Sequence, residues 1–112
     1  MEQSIKEKVK IFRAFSDEKR LLILQELQKG ERCACDLIEI AKICQSSLSY
    51  QMGILLQSGI VQQRSEGKWN YYSISEKGSK KALSLLRSMT KKAQNEQPTN
   101  NPLCVENGSC CK

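Results

Sequence analysis

The sequence has no histidine. That absence removes imidazole acid–base catalysis, the commonest metal ligand and the usual charge switch near neutral pH. Zinc sites built on histidine go with it. Long apolar runs are also missing. The longest span a few residues, such as Leu21-Leu22-Ile23-Leu24, against the roughly 20 that a membrane helix needs. No membrane partner is expected. The N-terminus, Met1-Glu2-Gln3-Ser4-Ile5-Lys6, lacks the apolar segment of a secretory signal. No paired-carboxylate cluster stands out, and no Cys-x-x-Cys sits in a βαβ pattern. An enzyme is not expected.

What is present fits one domain. The 112 residues are 39% hydrophobic and 27% charged, as in an ordinary folded domain. Net charge is +6, from 18 basic and 12 acidic residues. The excess lies at the two ends, because residues 31–74 hold equal numbers of each sign. A basic chain suits nucleic acid or an anionic surface, although many basic proteins bind neither. The six cysteines are the stronger lead. In a small secreted domain they would read as disulfides. Without a signal segment they are expected as reduced thiols in the cytoplasm, open to a soft ligand.

Hydrophobic spacing gives the organisation. Ile5, Val9 and Phe12 recur at helical period and predict a first helix. Ser16 is the candidate N-cap of a second, which carries Leu21, Leu22, Leu24 and Leu27 and stops at Gly30. A third helix is expected to begin between Glu31 and Cys35. A fourth runs from about Gln45 to Gln57, with Leu48, Met52, Leu55 and Leu56 on its apolar face. The period then changes. Ile60–Arg64 and Trp69–Ile74 read as two strands around a turn at Ser65-Glu66-Gly67-Lys68. A last helix is expected from about Ser75 to Ala93. Residues 94–112 are polar and read as a flexible tail bearing Cys104, Cys110 and Cys111. The expected division is a 1–93 domain for DNA binding and dimerisation, and a 94–112 tail.

Two helices joined by a short break and followed by a β-hairpin predict a mainly α fold with a β-hairpin wing, the winged helix-turn-helix. In that arrangement the fourth helix enters the major groove. Gln45, Ser46, Ser47, Ser49, Tyr50 and Gln51 offer groups that both donate and accept hydrogen bonds, which suits base edges and phosphates. The same residues could instead form a solvated face. The segment 45–59 bears no charge, so attraction to phosphate must come from neighbours such as Lys42, Arg64 and Lys68 and from the helix N-terminus. Trp69 is expected to pack within the hairpin.

At these residues a family resemblance emerges. Phe12-Arg13-Ala14-Phe15-Ser16-Asp17-Glu18-Lys19-Arg20-Leu21-Leu22-Ile23-Leu24 resembles the opening motif of the arsenic-repressor (ArsR/SmtB) family. Cys33-Ala34-Cys35-Asp36-Leu37 is similar to its metal-binding box. Gln45-Ser46-Ser47-Leu48-Ser49-Tyr50-Gln51-Met52 is similar to its recognition helix, and Gly67-Lys68-Trp69-Asn70-Tyr71-Tyr72 to its wing. The resemblance covers residues 5 to about 90. It implies a homodimer packed through the first and last helices, bound to double-stranded operator DNA until a metal or metalloid releases it. Two departures matter. Tyr50-Gln51 stands where the family commonly has His-His, which implies a different operator. Cys44 replaces the usual serine before the recognition helix, and thiol is a poor cap.

The resemblance also supplies the effector chemistry: trivalent arsenic or antimony typically takes three thiolates. Cys33 and Cys35 match the box, but Ile38 occupies the place of a frequent third cysteine. Cys44 lies nine residues beyond Cys35, about 13 Å along a helix, which is too far without unwinding. It is expected to be structural. A tail cysteine could complete the set, from the same chain or its partner, or an organoarsenical could need only two thiols. Cys104, Cys110 and Cys111 could alternatively form a site by themselves, or have no role. Burial is expected at Cys35 more than at Cys33. The leading expectation is a metalloid-responsive repressor with ligands among Cys33, Cys35, Cys104, Cys110 and Cys111, and with no organic cofactor. A thiol-redox repressor and a metal carrier without operator affinity stand as alternatives.

Overall fold

The computed structural model describes residues 4–95 and Pro98. Two helices come first, α1 (Ile5–Arg13) and α2 (Glu18–Leu27). A two-residue strand β1 (Arg32–Cys33) leads into α3 (Ala34–Ala41), and α4 (Gln45–Ser58) follows. Strands β2 (Val61–Glu66) and β3 (Trp69–Ile74) make the wing, and α5 (Glu76–Thr90) closes the chain of elements. The cysteines at 104, 110 and 111 lie outside the described residues, as does most of the expected tail. Among the described residues, no helix is long and apolar enough to cross a membrane.

Local chemistry explains the boundaries. Ser4 caps α1 by accepting from the Glu7 N–H at 3.2 Å. The cap of α2 is Asp17, not Ser16: its carboxylate accepts from the N–H groups of Lys19 (2.9 Å) and Arg20 (3.4 Å). Ser16 faces the other way and donates to the Arg13 carbonyl. A carboxylate at a helix N-terminus gains both the orphan donors and the dipole, so the acid wins the position. Gly59 ends α4 at φ 82, a conformation glycine adopts without a Cβ clash. Helix α5 stops at Thr90, earlier than periodicity suggested, because Lys91 is already extended.

The expected two-stranded hairpin is a three-stranded antiparallel sheet in the order β1-β3-β2. Arg32 stands opposite Tyr72 and Cys33 opposite Tyr71. On the other side of β3, Arg64 pairs with Tyr71 and Glu66 with Trp69. The segment expected to open α3 is therefore extended for two residues. It satisfies backbone groups that β3 would otherwise present as a free edge. Trp69 ends the hairpin and is 53% exposed, so it does not pack as expected. It lies where the sheet stops, and no described element covers it.

The core gathers residues from every helix. Ile23, Leu37, Met52 and Leu55 are fully buried, with Ala14, Leu27, Leu48, Ile60 and Tyr72 around them. The Lys19 ammonium donates to the Ala41 carbonyl at 3.0 Å, tying α2 to the end of α3. The start of α5 lies against the end of α4 at a glycine. A Cβ on Gly78 would sit 1.8 Å from the Gly59 carbonyl oxygen, so only glycine allows this approach. Apolar side chains remain outside on α1 and α5: Ile5, Val9, Leu83, Leu86 and Met89 are all about half exposed or more.

Candidate nucleic-acid interface and thiol site

Helix α3 ends at Ala41, its C-cap Lys42 takes the left-handed conformation (φ 55, ψ 51), and α4 begins at Gln45. That tight reversal makes α3 and α4 a helix-turn-helix pair. Helix α4 buries Leu48, Met52 and Leu55. Its outer face carries Gln45, Ser46, Ser49 and Tyr50, all exposed, with Ser47 half-buried. Tyr50 is 60% exposed, and its hydroxyl accepts from Arg13 at 3.5 Å.

Gln51 does not belong to this face. It is buried, and its side-chain oxygen accepts from the buried Arg20 guanidinium. Spacing explains the correction. Gln51 lies three residues after Leu48 and four before Leu55, on the inward stripe of the helix. Its polarity suggested an outward role, but a buried arginine from α2 needed an acceptor there. Arg20 itself carried no signal beyond its place in a leucine-rich helix.

The wing holds two expected cations, and they differ. Lys68 is exposed in the turn between β2 and β3. Arg64 is gripped from two sides. It donates to both Glu31 oxygens, at 2.7 and 3.0 Å, and to Glu66 at 2.7 Å. Its guanidinium also lies 4.6 Å from the Tyr71 ring centroid. The ion pair holds the Glu31 carboxyl below its ordinary range, chiefly through the Arg64 hydrogen bonds.

Cys33 and Cys35 come together at the join of β1 and α3. Cys33 ends the strand and occupies the N-cap of α3, with its backbone extended. Cys35 is in the first turn. Their sulfurs are 3.0 Å apart. Asp36 adds a third group: its carboxylate accepts from the Cys33 thiol at 3.2 Å and from the Cys33 N–H at 3.3 Å. The contact with Cys35 pushes the Cys33 thiol up against the opposing pull of the Asp36 N–H, and burial and the Asp36 carboxylate add to the rise by favouring the protonated form. Exposure is the reverse of expectation. Cys35 is exposed and Cys33 half-buried, because pairing with Tyr71 covers Cys33. Asp36 was missed by sequence reasoning, although an acid three residues after an N-cap is a capping-box signal.

Cys44 was expected to be structural, yet it is exposed. It is the N-cap of α4 and makes no side-chain cap bond, as the thiol-for-hydroxyl change implied. Its sulfur lies 3.1 Å from the Ser46 hydroxyl. That contact, with the Ser47 N–H behind it, pulls the Cys44 thiol down. Among the described residues, no group of three or more Cys, His, Asp or Glu side chains is arranged to hold a metal ion.

A helix-turn-helix followed by an antiparallel wing defines a winged-helix DNA-binding regulator. Residues 17–63 match the family described as bacterial regulatory protein, arsR family, and the chain belongs to that family. Its members are transcriptional regulators, not enzymes. An arsenical resistance operon repressor from Bacillus subtilis is 44% identical over 66 residues, 58% of this chain and 63% of that one. An HTH-type transcriptional regulator from Methanocaldococcus jannaschii is 40% identical over 77 residues, 68% of this chain and 86% of that one. Among solved structures, HlyU from Vibrio cholerae superposes with a TM-score of 0.62 at 28% identity. The match covers 82% of this chain and 100% of that one.

Proposed function

We propose that the chain is a transcriptional repressor that binds double-stranded operator DNA as a homodimer and leaves it when trivalent arsenic is captured by cysteine thiolates. The observation that carries this reading is the 3.0 Å approach of the Cys33 and Cys35 sulfurs where the sheet meets α3. Two soft donors in contact suit a soft, thiophilic ion. With arsenous acid, each As–S bond forms as a thiol proton and an arsenic hydroxyl leave as one water. Antimony(III) and monosubstituted organoarsenicals react in the same way. A third thiolate comes from Cys104, Cys110 or Cys111, of the same chain or its partner, or is not needed for an organoarsenical.

In this reading Gln45, Ser46, Ser47, Ser49 and Tyr50 meet the major groove, while Lys68 and Arg64 meet the backbone. The dimer forms through α1 and α5. Support comes from the apolar side chains those helices leave outside, and from a groove of about 600 Å³ lined by Phe12, Phe15, Leu83 and Leu86. The similarity to the arsenical resistance operon repressor of Bacillus subtilis supports the effector.

The test is fluorescence anisotropy of DNA from the promoter upstream of its own gene, with reduced full-length protein at fixed salt. Arsenite is expected to release the DNA. Release by methylarsenite alone indicates a two-thiol site. The sulfur contact also favours a second reading, a thiol-redox repressor. There Cys33 and Cys35 lose two protons and two electrons to a peroxide and form a disulfide. Tight DNA binding that ignores arsenite but is lost under peroxide establishes that reading instead. Metal binding with no DNA affinity would leave the carrier.

A further inference from the structure

Glu31, Cys33, Tyr71, Arg64 and Glu66 lie along one stretch of the sheet. Cys33 stands opposite Tyr71, and Tyr71 opposite Arg64, so the three form a row across the strands β1, β3 and β2. Residues paired directly across an antiparallel ladder share a face. The Arg64 guanidinium lies over the Tyr71 ring and reaches back to Glu31, two residues before Cys33. Arg32, between Glu31 and Cys33, is anchored on α2 by Glu26 at 3.0 Å. The stretch that holds the first thiol is therefore pinned to the body at Arg32 and to the wing at Glu31.

This arrangement has an electrostatic consequence. One guanidinium bound by two carboxylates leaves a net negative cluster where the wing meets Glu31, with Lys68, two residues beyond Glu66, as the wing's other exposed cation. Such a cluster repels a phosphate backbone and withholds the one cation that β2 offers. We infer that Arg64 is exchanged between Glu31 and a DNA phosphate, and that this exchange links the Cys33–Cys35 site to the wing. In the DNA-bound form Arg64 leaves Glu31 and contacts the backbone. Thiol capture of the metalloid fixes the β1–α3 join, and with it Glu31, in the position that takes Arg64 back. The inference rests on the metalloid reading for its second half only. The exchange of Arg64 between two anions stands without it.

The residues offer a matched pair of variants. Glu31→Gln and Glu66→Gln each remove one negative charge from the same guanidinium. Only Glu31 adjoins the thiol site, and only Glu31 holds Arg64 through two bonds. DNA affinity is measured for the full chain over a salt series, with and without arsenite, on the same promoter fragment. One added phosphate contact steepens the slope of log K against log salt by about 0.9. Arg64 already meets a phosphate in the wild-type complex, so Arg64→Gln is expected to make the slope shallower by about that amount per protomer. Glu31→Gln keeps that contact and removes its competitor, so it is expected to raise affinity at fixed salt, and Arg64→Gln in the same chain to cancel the gain. Allosteric effectors typically shift affinity about 5–150-fold. Glu31→Gln is expected to reduce the arsenite-induced loss of affinity several-fold, and Glu66→Gln to preserve it.

Equal effects of the two variants on the arsenite response would mean that general charge, not the link to Cys33, is being read, and the coupling would be overturned. An unchanged salt slope in Arg64→Gln, or an unchanged affinity in Glu31→Gln, would overturn the exchange. If wild-type protein is not released by arsenite, the metalloid reading fails together with the coupling. The salt slopes in effector-free protein still decide the exchange in that event. Circular dichroism melting of each variant separates a lost latch from a lost fold.

Discussion

The buried Arg20 guanidinium on α2 donates to the Gln51 side-chain oxygen on α4, and its Nε donates to the Arg13 carbonyl at 3.0 Å. One side chain thus joins the end of α1 to the helix proposed to read DNA. Gln51→Leu keeps much of the volume but removes the acceptor from a buried cation. Hydrogen bonds to charged groups contribute about 1.5–3 kcal/mol, and a loss of that size is expected in urea unfolding. Tyr50→Phe, next to it but exposed, is expected to unfold within about 0.5 kcal/mol of wild type while changing DNA affinity. A Gln51→Leu protein as stable as wild type would remove Gln51 from this interior role.

Gly78 sets how α5 meets α4. Its missing Cβ leaves room for the Gly59 carbonyl, and the Ser75 hydroxyl caps the same residue by accepting from its N–H at 3.1 Å. Gly59 itself closes α4 at positive φ. The two glycines thus make one joint. Gly78→Ala has better helix propensity, worth up to about 1 kcal/mol. The clash is with backbone and cannot relax by a rotamer change, and overpacking of this kind costs about 1–3 kcal/mol. A net loss in thermal stability is expected. Because α5 must then shift, sedimentation is also expected to show a weakened self-association, if the dimer uses α5 as proposed.

The sequence made most of this architecture legible, through means that can be named. Helical spacing of Leu48, Met52 and Leu55 placed α4 to within a residue of its end. The change to strand-forming residues after Gly59 placed the wing. Strand β1 was not legible, because two residues carry no period and their pairing with β3 is a long-range contact. The thiol pair was visible as Cys-x-Cys, but its contact with Asp36 depends on Cys33 being the N-cap. Gln51 was misjudged, and the acidic partners of Arg64 went unread, for one reason. A polar residue type does not say whether its partner is water, DNA or another side chain. Only the fold brought Arg20 to the first and Glu31 to the second.

If Cys33 and Cys35 sense and α4 binds, as proposed, the two properties can be separated by substitution. Neither sulfur contacts the α4 face that carries Ser46 and Tyr50, and Cys33→Ser keeps a group able to donate to Asp36. Cys33→Ser and Cys35→Ser are each expected to hold operator DNA within about threefold of wild type, a change of under 1 kcal/mol. Both are expected to lose release by arsenite. Anisotropy with the same fragment measures both properties. Cys44→Ser, which restores a hydroxyl cap at the start of α4, is expected to keep the arsenite response and to stabilise the fold by about 0.5–1 kcal/mol. Loss of the response in Cys44→Ser with retention in Cys35→Ser would move the sensor to α4.

Thiol reactivity gives a test that needs no DNA. The thiolate is the nucleophile in alkylation, so the pH at which labelling accelerates follows the thiol pKa. Ser46 and the N–H of Ser47 stabilise the Cys44 thiolate and move its pKa below the ordinary cysteine value. Cys35 first, and then burial and the Asp36 carboxylate, outweigh the opposing Asp36 N–H, keep the proton on Cys33 and move its pKa above that value. With rising pH, Cys44 is therefore expected to label first and Cys33 after it, as read by mass spectrometry of the separate peptides under brief iodoacetamide exposure. Cys35→Ser removes the largest cause, so it should draw the Cys33 profile toward lower pH. Asp36→Asn should do so to a smaller extent, since it removes a carboxylate that repels the thiolate. Cys33 and Cys44 profiles that coincide in native protein, and stay together in Cys35→Ser, would show that neither set of hydrogen bonds persists in solution.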